Sequence, residues 1–327
     1  MFKSRLQLGI RNGTFKFDSS NKFVILHPEL DSDLSALAEF DPVFVHRSFL
    51  AVKKFISMGY KHLTLMEGDF DFAVVHIPRS KVLARHLIWL AAKLAPKGII
   101  LVDGAKTQGV ESLSKEVRKL VSLNGTISGA HGRLFFFRSS NSFGAWKADS
   151  PIFTANNYWT QAGIFSADGI DLGSSLLAQN LPQSMSGRIA DLGAGWGFLS
   201  KKIIAFPKVT HLDCVEVDCA ALECARLNCL DDRVTFHWDD ATTWQSHRKL
   251  DAVVMNPPFH AKRYADPEIG KGFILSAARL LKRDGRLWMV ANRKLPYEKS
   301  LKEAFIDFHE IAGDNRFKVL HAKEPTK

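Results

Sequence analysis

Two short segments hold the residues best suited to chemistry. The first, Asp191-Leu192-Gly193-Ala194-Gly195-Trp196-Gly197, follows a run that reads as a strand and opens one that reads as a helix. Its glycines let the backbone turn tightly and approach a ligand, and a helix start offers N–H groups without helical partners. Dinucleotide sites use a related glycine turn. A carboxylate beside the turn, however, repels a pyrophosphate and attracts an ammonium group. Asp191, with Gly193 and Gly195, therefore suits the ammonium end of an amino-acid-like ligand such as S-adenosylmethionine. The second segment, Asn256-Pro257-Pro258-Phe259-His260, follows the apolar run Ala252–Met255. Its prolines fix φ and remove donors, leaving a stiff loop with carbonyls free to accept. The Asn256 side-chain oxygen and the Pro257 carbonyl can take both N–H bonds of a planar exocyclic amine, and Phe259 can stack on the ring bearing it. The expected chemistry is in-line attack of that amine on the sulfonium methyl. Phe259 and His260, not a cysteine, follow the prolines, which argues against a thiolate adduct at a ring carbon. His260 can assist the proton's departure or simply pack at the surface.

Further acids fall at suitable distances. Glu216 lies 25 residues after Asp191, at the end of a second strand, where it can accept both ribose hydroxyls of an adenosine. Asp240 lies 24 residues further on, and Ala241 after it can meet the adenine edge. Ligands of open α/β sheets bind at the carboxyl ends of the strands, where these acids converge with Asn256. Pro258, His260 and Arg293 are expected beside the substrate. Arg293, with Lys262, Arg263 and Lys294, reads either as a phosphate contact or as a solvated charge.

The elements that must position these residues alternate in type. Expected strands are Arg188–Leu192, Thr210–Val217, Val234–His237, Ala252–Met255, Arg286–Ala291 and Phe317–Ala322, separated by helices over Gly197–Ala205, Cys219–Cys229, Ile269–Leu281 and Pro296–Phe305. That pattern predicts a doubly wound α/β sheet. Residues 138–157 are polar, turn-rich and broken by Pro151, so domains are expected at 1–148 and 149–327. Asp71–Pro78 resembles Asp251–Pro258 at an offset of 180, and Gly98–Val102 and Gly132–Arg138 have later counterparts in Gly285–Val290 and Asn315–His321. The halves look like an ancient duplication. Only 40 positions separate Asp31 from Asp71, against 63 from Arg188 to Asp251, and the shorter stretch has no Gly-x-Gly. The first copy is not expected to bind the same ligand.

Composition bounds the rest. The chain has 327 residues, 44 Lys plus Arg against 34 Asp plus Glu, and 46% hydrophobic residues, which excludes disorder and fibres. Residues 1–150 hold 21 basic and 13 acidic side chains, a balance of +8, against 23 and 21 beyond, which reads either as a surface for a polyanionic partner such as nucleic acid or as charge kept for solubility. No apolar run reaches the roughly 18 residues of a membrane span, and the amino terminus lacks a signal-peptide core. A cytoplasmic protein with no membrane partner is expected, as a monomer. Cys214, Cys219, Cys224 and Cys229 are spaced by five, which turns successive helical side chains by roughly 140° and suits neither a metal site nor a disulfide framework. They are expected as small free thiols, and no metal site is expected.

With these residues in hand the chain resembles class I S-adenosylmethionine-dependent methyltransferases, and more narrowly the RsmC family of 16S ribosomal RNA guanine-N2 methyltransferases. The segments that carry the resemblance are Gly163–Ser174, the Asp191 glycine loop, Asn256–His260, Val290–Asn292 with Leu295–Tyr297, and Phe308–Glu310 with Arg316–Val319. The resemblance implies two tandem Rossmann-like methyltransferase domains. The first is degenerate and serves RNA binding and folding; the second is complete and catalytic, with 16S ribosomal RNA or the small ribosomal subunit as partner. It also implies that Asp191, Gly193, Gly195, Glu216 and Asp240 hold the cofactor and that Asn256, Pro257 and Phe259 hold the guanine. Trp196 stands where that family carries a small residue and is expected to narrow the methionine end. Asparagine-proline-proline loops also serve adenine N6 and protein glutamine. A ribosome-assembly protein with an inert second half is the non-enzymatic alternative, against which Asp191, Glu216 and Asn256 speak.

Overall fold

Strands buried on both faces read as continuous apolar runs, and such runs organise both halves of the chain. The computed structural model describes residues 4–258, 260–261, 264–265 and 267–326. Two compact units form, Met1–Ser150 and Pro151–Lys327. The first contains α1 (Arg5–Arg11), β1 (Phe23–Leu26), β2 (Val43–Val45), α2 (Phe49–Ser57), β3 (Lys61–His62), β4 (Phe72–His76), α3 (Lys81–Leu94), β5 (Ile99–Ala105), α4 (Val110–Val117), β6 (Gly125–Gly129) and β7 (Gly132–Arg138). Its sheet runs β3-β2-β1-β4-β5-β7-β6. The first five strands are parallel, and β7 and β6 turn back antiparallel.

The second unit opens with the small ladder β8 (Ile152–Phe153) and β9 (Trp159–Thr160), then α5 (Leu172–Gln179), β10 (Ser186–Leu192), α6 (Phe198–Ile204), β11 (Lys208–Glu216), α7 (Cys219–Asn228), β12 (Val234–Trp238) and β13 (Leu250–Met255). A second ladder, β14 (His260–Ala261) with β15 (Tyr264–Ala265), precedes α8 (Pro267–Leu280), β16 (Leu281–Asn292), α9 (Glu298–Ala304), β17 (Phe305–Gly313) and β18 (Phe317–Pro325). The large sheet runs β12-β11-β10-β13-β16-β18-β17. Counting the sheet strands within each unit, both orders are 3-2-1-4-5-7-6. The chain is an α/β protein with two tandem Rossmann-like sheets. The segments that are alike at the offset of 180 form the fourth strand of each, β4 and β13.

Side chains alternate across a strand, so each central strand of the second sheet feeds two cores. Ala190, Leu192, Val253, Met255, Leu287 and Met289 pack in one with α8 and α9. Ile189, Cys214, Val254, Trp288 and Val290 pack in the other with α5, α6 and α7. The expected helix at Pro296–Phe305 shortens to α9, because Phe305 begins β17, an edge strand whose mostly exposed residues carry no apolar alternation. All four cysteines are free thiols. Among the described residues no helix is long and apolar enough to cross a membrane.

Candidate functional site

The glycine loop leaves the carboxyl end of β10. Gly193 and Gly195 have φ of +75° and +56°, the left-handed region that glycine enters without steric cost. The Gly193 and Ala194 N–H groups both donate to the Val215 carbonyl of β11, at 2.9 and 3.0 Å, which pins the turn to the neighbouring strand. The Gly195 N–H donates to Glu216 Oε2 at 2.8 Å, and Glu216 Oε1 accepts from the Asp218 N–H at 2.9 Å. A Cβ placed on Gly195 meets nothing within 4 Å, so this backbone faces open space. Burial pushes the Glu216 carboxyl above its ordinary value.

Asp191 sits beneath the loop, wholly out of solvent. Its Oδ2 accepts from Ser200 Oγ of α6 at 2.6 Å, and Cys214 Sγ lies 3.1 Å from the same hydroxyl. Its Oδ1 has no hydrogen-bond partner among the described residues. Burial, helped by the nearby Glu216, pushes the Asp191 carboxyl up to about 7.

The loop forms one wall of an open cleft, completed by Phe165, Ser166, Asp171, Ser174, Phe198, Leu199 and Asn256. Trp196 also lines it, but only 4% of this residue is exposed. Its indole packs against Tyr158, with ring centroids 4.9 Å apart, and edge-on to Phe198 at 5.9 Å. The ring that the sequence expects to narrow the cleft is thus largely taken up by an aromatic cluster.

Asn256 is the first residue beyond β13, and folding brings it to Asp171 and Ser174. Its Nδ2 donates to Asp171 Oδ2 at 2.9 Å and to Ser174 Oγ at 2.8 Å. Asp171 is also the N-cap of α5, its Oδ2 accepting the Ser174 N–H at 2.8 Å. With both amide hydrogens engaged, the carbonyl oxygen Oδ1 is the part of Asn256 left for a ligand. Pro257 is buried and Pro258 exposed. Phe259, Lys262 and Arg263 lie outside the described residues, as does the side chain of His260, whose backbone pairs with Ala265 in β14.

Other expected site residues share this edge of the sheet without lining the cleft. Asp240 follows β12, and its Oδ1 accepts from the Thr242 N–H at 2.9 Å and Oγ1 at 2.7 Å, capping the next turn. Ala241 is 5% exposed and belongs to the core beneath α8, its carbonyl accepting from Ser276 Oγ at 2.7 Å. Arg293 donates through Nη2 to Glu310 Oε1 at 2.7 Å and to the Phe317 carbonyl at 3.1 Å, so its guanidinium braces β16 to β17 and β18. Asp171, Ser174 and the half-exposed Phe165 line the cleft without any role expected of them from the sequence. The available signal was the N-cap pattern Asp171-Leu172-Gly173-Ser174, in which the cap's acceptor meets the N–H three residues on.

A family model described as Methyltransferase small domain matches residues 155–321. The chain is similar to the ribosomal RNA small subunit methyltransferase C of Shewanella piezotolerans, 30% identical over 306 residues that cover 89% of this chain and 88% of that one. It is also similar to the protein of that name from Shewanella pealeana, 29% identical over 277 residues, 81% of this chain and 80% of the other. Among solved structures it is similar to a T. Thermophilus 16S rRNA N2 methyltransferase (RsmC) in complex with AdoMet and guanosine, with a TM-score of 0.80, 21% identity, and coverage of 99% of this chain and 92% of that one. That last likeness is one of fold.

Proposed function

The chain belongs to the ribosomal RNA small subunit methyltransferase C family, and on that premise we propose that it transfers a methyl group from S-adenosylmethionine to the exocyclic N2 amine of a guanine in small-subunit (16S) ribosomal RNA. The observation that carries this reading is the carboxamide of Asn256, whose donor end is engaged and whose acceptor end is left beside the glycine loop. The residues present fit the cofactor. Open space faces Gly195, and Asp191 Oδ1, beneath the loop, is a buried oxygen with no hydrogen-bond partner among the described residues. The like-folded T. Thermophilus protein, solved with AdoMet and guanosine, supports the same pair of ligands.

In this reading Gly193, Gly195 and Asp191 hold the methionine end, Glu216 the ribose, and Asp240 with Ala241 the adenine. S-adenosylmethionine supplies a methyl carbon already activated by a sulfonium. Asn256 Oδ1 and the Pro257 carbonyl accept the two N–H bonds of the amine and aim its nitrogen, and Phe259 stacks on the base. As the nitrogen gains positive charge, these fixed oxygens stabilise it without reorganising. Orientation and electrostatics supply the acceleration, and the proton leaves the nitrogen after transfer, so no strong base is required. A guanine paired in a stem must first be exposed or swung out, at a few kcal/mol. The first unit, lacking a Gly-x-Gly and carrying the charge excess, serves RNA binding and folding, and the chain acts as a cytoplasmic monomer.

The test is incubation with tritiated S-adenosylmethionine, small and large subunits and free ribosomal RNA, followed by digestion to nucleosides. Label in N2-methylguanosine of small-subunit RNA is the expected result. Label in N6-methyladenosine or in protein overturns the substrate. A protein that binds the cofactor and labels nothing is the assembly factor instead.

A further inference from the structure

We propose that Asp171 is a positioning residue that turns Asn256 into an obligate hydrogen-bond acceptor and so selects an amine as the methyl acceptor. This deepens the function proposed above and rests on it. A carboxamide has a donor end and an acceptor end of nearly the same shape, and only its surroundings decide which one a ligand meets. Here the donor end has two acceptors, Asp171 Oδ2 at 2.9 Å and Ser174 Oγ at 2.8 Å. Turning the amide over would set its oxygen against a carboxylate oxygen, which repels it.

The carboxylate is itself held. The Ser174 N–H donates to the same Oδ2 at 2.8 Å, and at Gly173 a Cβ would lie 3.1 Å from that oxygen and 3.2 Å from the Phe317 ring. A side chain there would require that oxygen or the Phe317 ring to give by a few tenths of an ångström. The cap of α5 and the orientation of Asn256 are thus one structure, and Ser174, 7% exposed, closes it from the helix side.

Two consequences follow for the reaction. A base edge that presents a carbonyl meets only acceptors at Asn256 and Pro257, whereas an amine finds a partner for each hydrogen. A hydrogen bond to a charged acceptor also polarises the donor amide. Asp171 therefore draws electron density toward Asn256 Oδ1, where it strengthens acceptance as the amine becomes cationic. The effect belongs to the transition state and appears in kcat.

The test uses the full chain with the nucleic-acid substrate it labels. Asp171→Ser keeps a good helix cap but is too short to reach Asn256, whereas Asp171→Asn keeps both the cap and a neutral acceptor. Expected for the serine variant is a kcat lowered about 100-fold, with KM for the RNA and the dissociation constant for S-adenosylmethionine within about threefold of the parent. The asparagine variant should recover about tenfold of that loss, because a neutral hydrogen bond is weaker than a charged one. An unchanged kcat in Asp171→Ser overturns the proposal. So does a loss that appears in cofactor affinity and vanishes at saturating cofactor, which would make Asp171 the ammonium's partner. If the parent labels an amine other than guanine N2, and Asp171→Ser loses kcat on that amine, the positioning role stands while the guanine assignment falls.

Discussion

At the carboxyl ends of the same four strands the two units carry opposite side chains. In the second unit the edge holds the glycine loop, Glu216, Asp240 and Asn256. In the first, His27 follows β1, His46 follows β2, and His62 and His76 end β3 and β4. The turn beneath is shared. His27 has φ of 56° and donates its N–H to the Val45 carbonyl of β2 at 2.8 Å; Gly193 has φ of 75° and donates to the Val215 carbonyl of β11 at 2.9 Å. One unit puts glycine on that turn, and its loop faces open space at Gly195. The other places an imidazole on it, stacked on His46 with ring centroids 4.6 Å apart. The backbone bond is the same beneath two different side chains. The sheet supplies the edge, and the residues on it decide whether anything binds there.

The largest effect is expected from Asn256→Ala, which should lower transfer about 1000-fold with cofactor binding retained. His76→Gln, at the matching position of the first unit, should leave kcat within about twofold. Loss of transfer from the histidine variant would mean that both edges act in the reaction. Next, calorimetry should find a single equivalent of S-adenosylmethionine per chain, and Gly195→Val should weaken it about 100-fold by filling the open space and straining the loop. A second equivalent would show that the histidine edge binds too.

The pH dependence sharpens the contrast, because the two edges should slope in opposite directions. Burial, with Arg47 nearby, holds His27 down to about 4 and His46 down to about 3, against an ordinary 6.5. Both stay neutral in the fold, so their stability is intact above pH 6.5 and is lost as pH falls toward those values. Protonation of His46 Nδ1 also breaks the bond it accepts from the Ser48 N–H at 2.9 Å. Asp191, raised from 3.8 to about 7, has the reverse sign, and its contribution declines as pH rises across that interval. In denaturant melts, Asp191→Asn should therefore gain stability over the parent between pH 4 and 7, and His46→Gln should flatten the acid limb. Parallel slopes for the two variants would refute the assignment. The smallest effect is expected at Arg293→Lys, which loosens an exposed pair with Glu310 and should change KM by less than about threefold.

What the sequence disclosed follows from range. The strands under the site announced themselves because burial on both faces leaves unbroken apolar runs, as in Ala252–Met255. The glycine loop and Asn256 were legible because each motif is local. Asp171 was not, since its partner lies 85 residues away and only folding joins them. Arg293 looked like a free cation for a similar reason, as Glu310 reaches it from another strand. β17 escaped because an exposed edge strand needs no alternation, and α5 because Leu172–Gln179 is short and carries glycine and two serines of weak helix propensity.

Asn228 sets where this enzyme can be cut. Its Oδ1 takes the Trp159 N–H at 2.8 Å, while its Nδ2 donates to the Trp159 carbonyl at 2.8 Å and to the Trp196 carbonyl at 2.7 Å. One side chain therefore stitches the stretch ahead of the large sheet to the glycine loop, and that same stretch delivers Phe165, Asp171 and Ser174 to the cleft. A fragment begun at Ser186 would keep every strand of the large sheet and lose one wall of the candidate cleft. For anyone trimming or fusing this protein, the second compact unit starts well upstream of its first long strand, at Pro151.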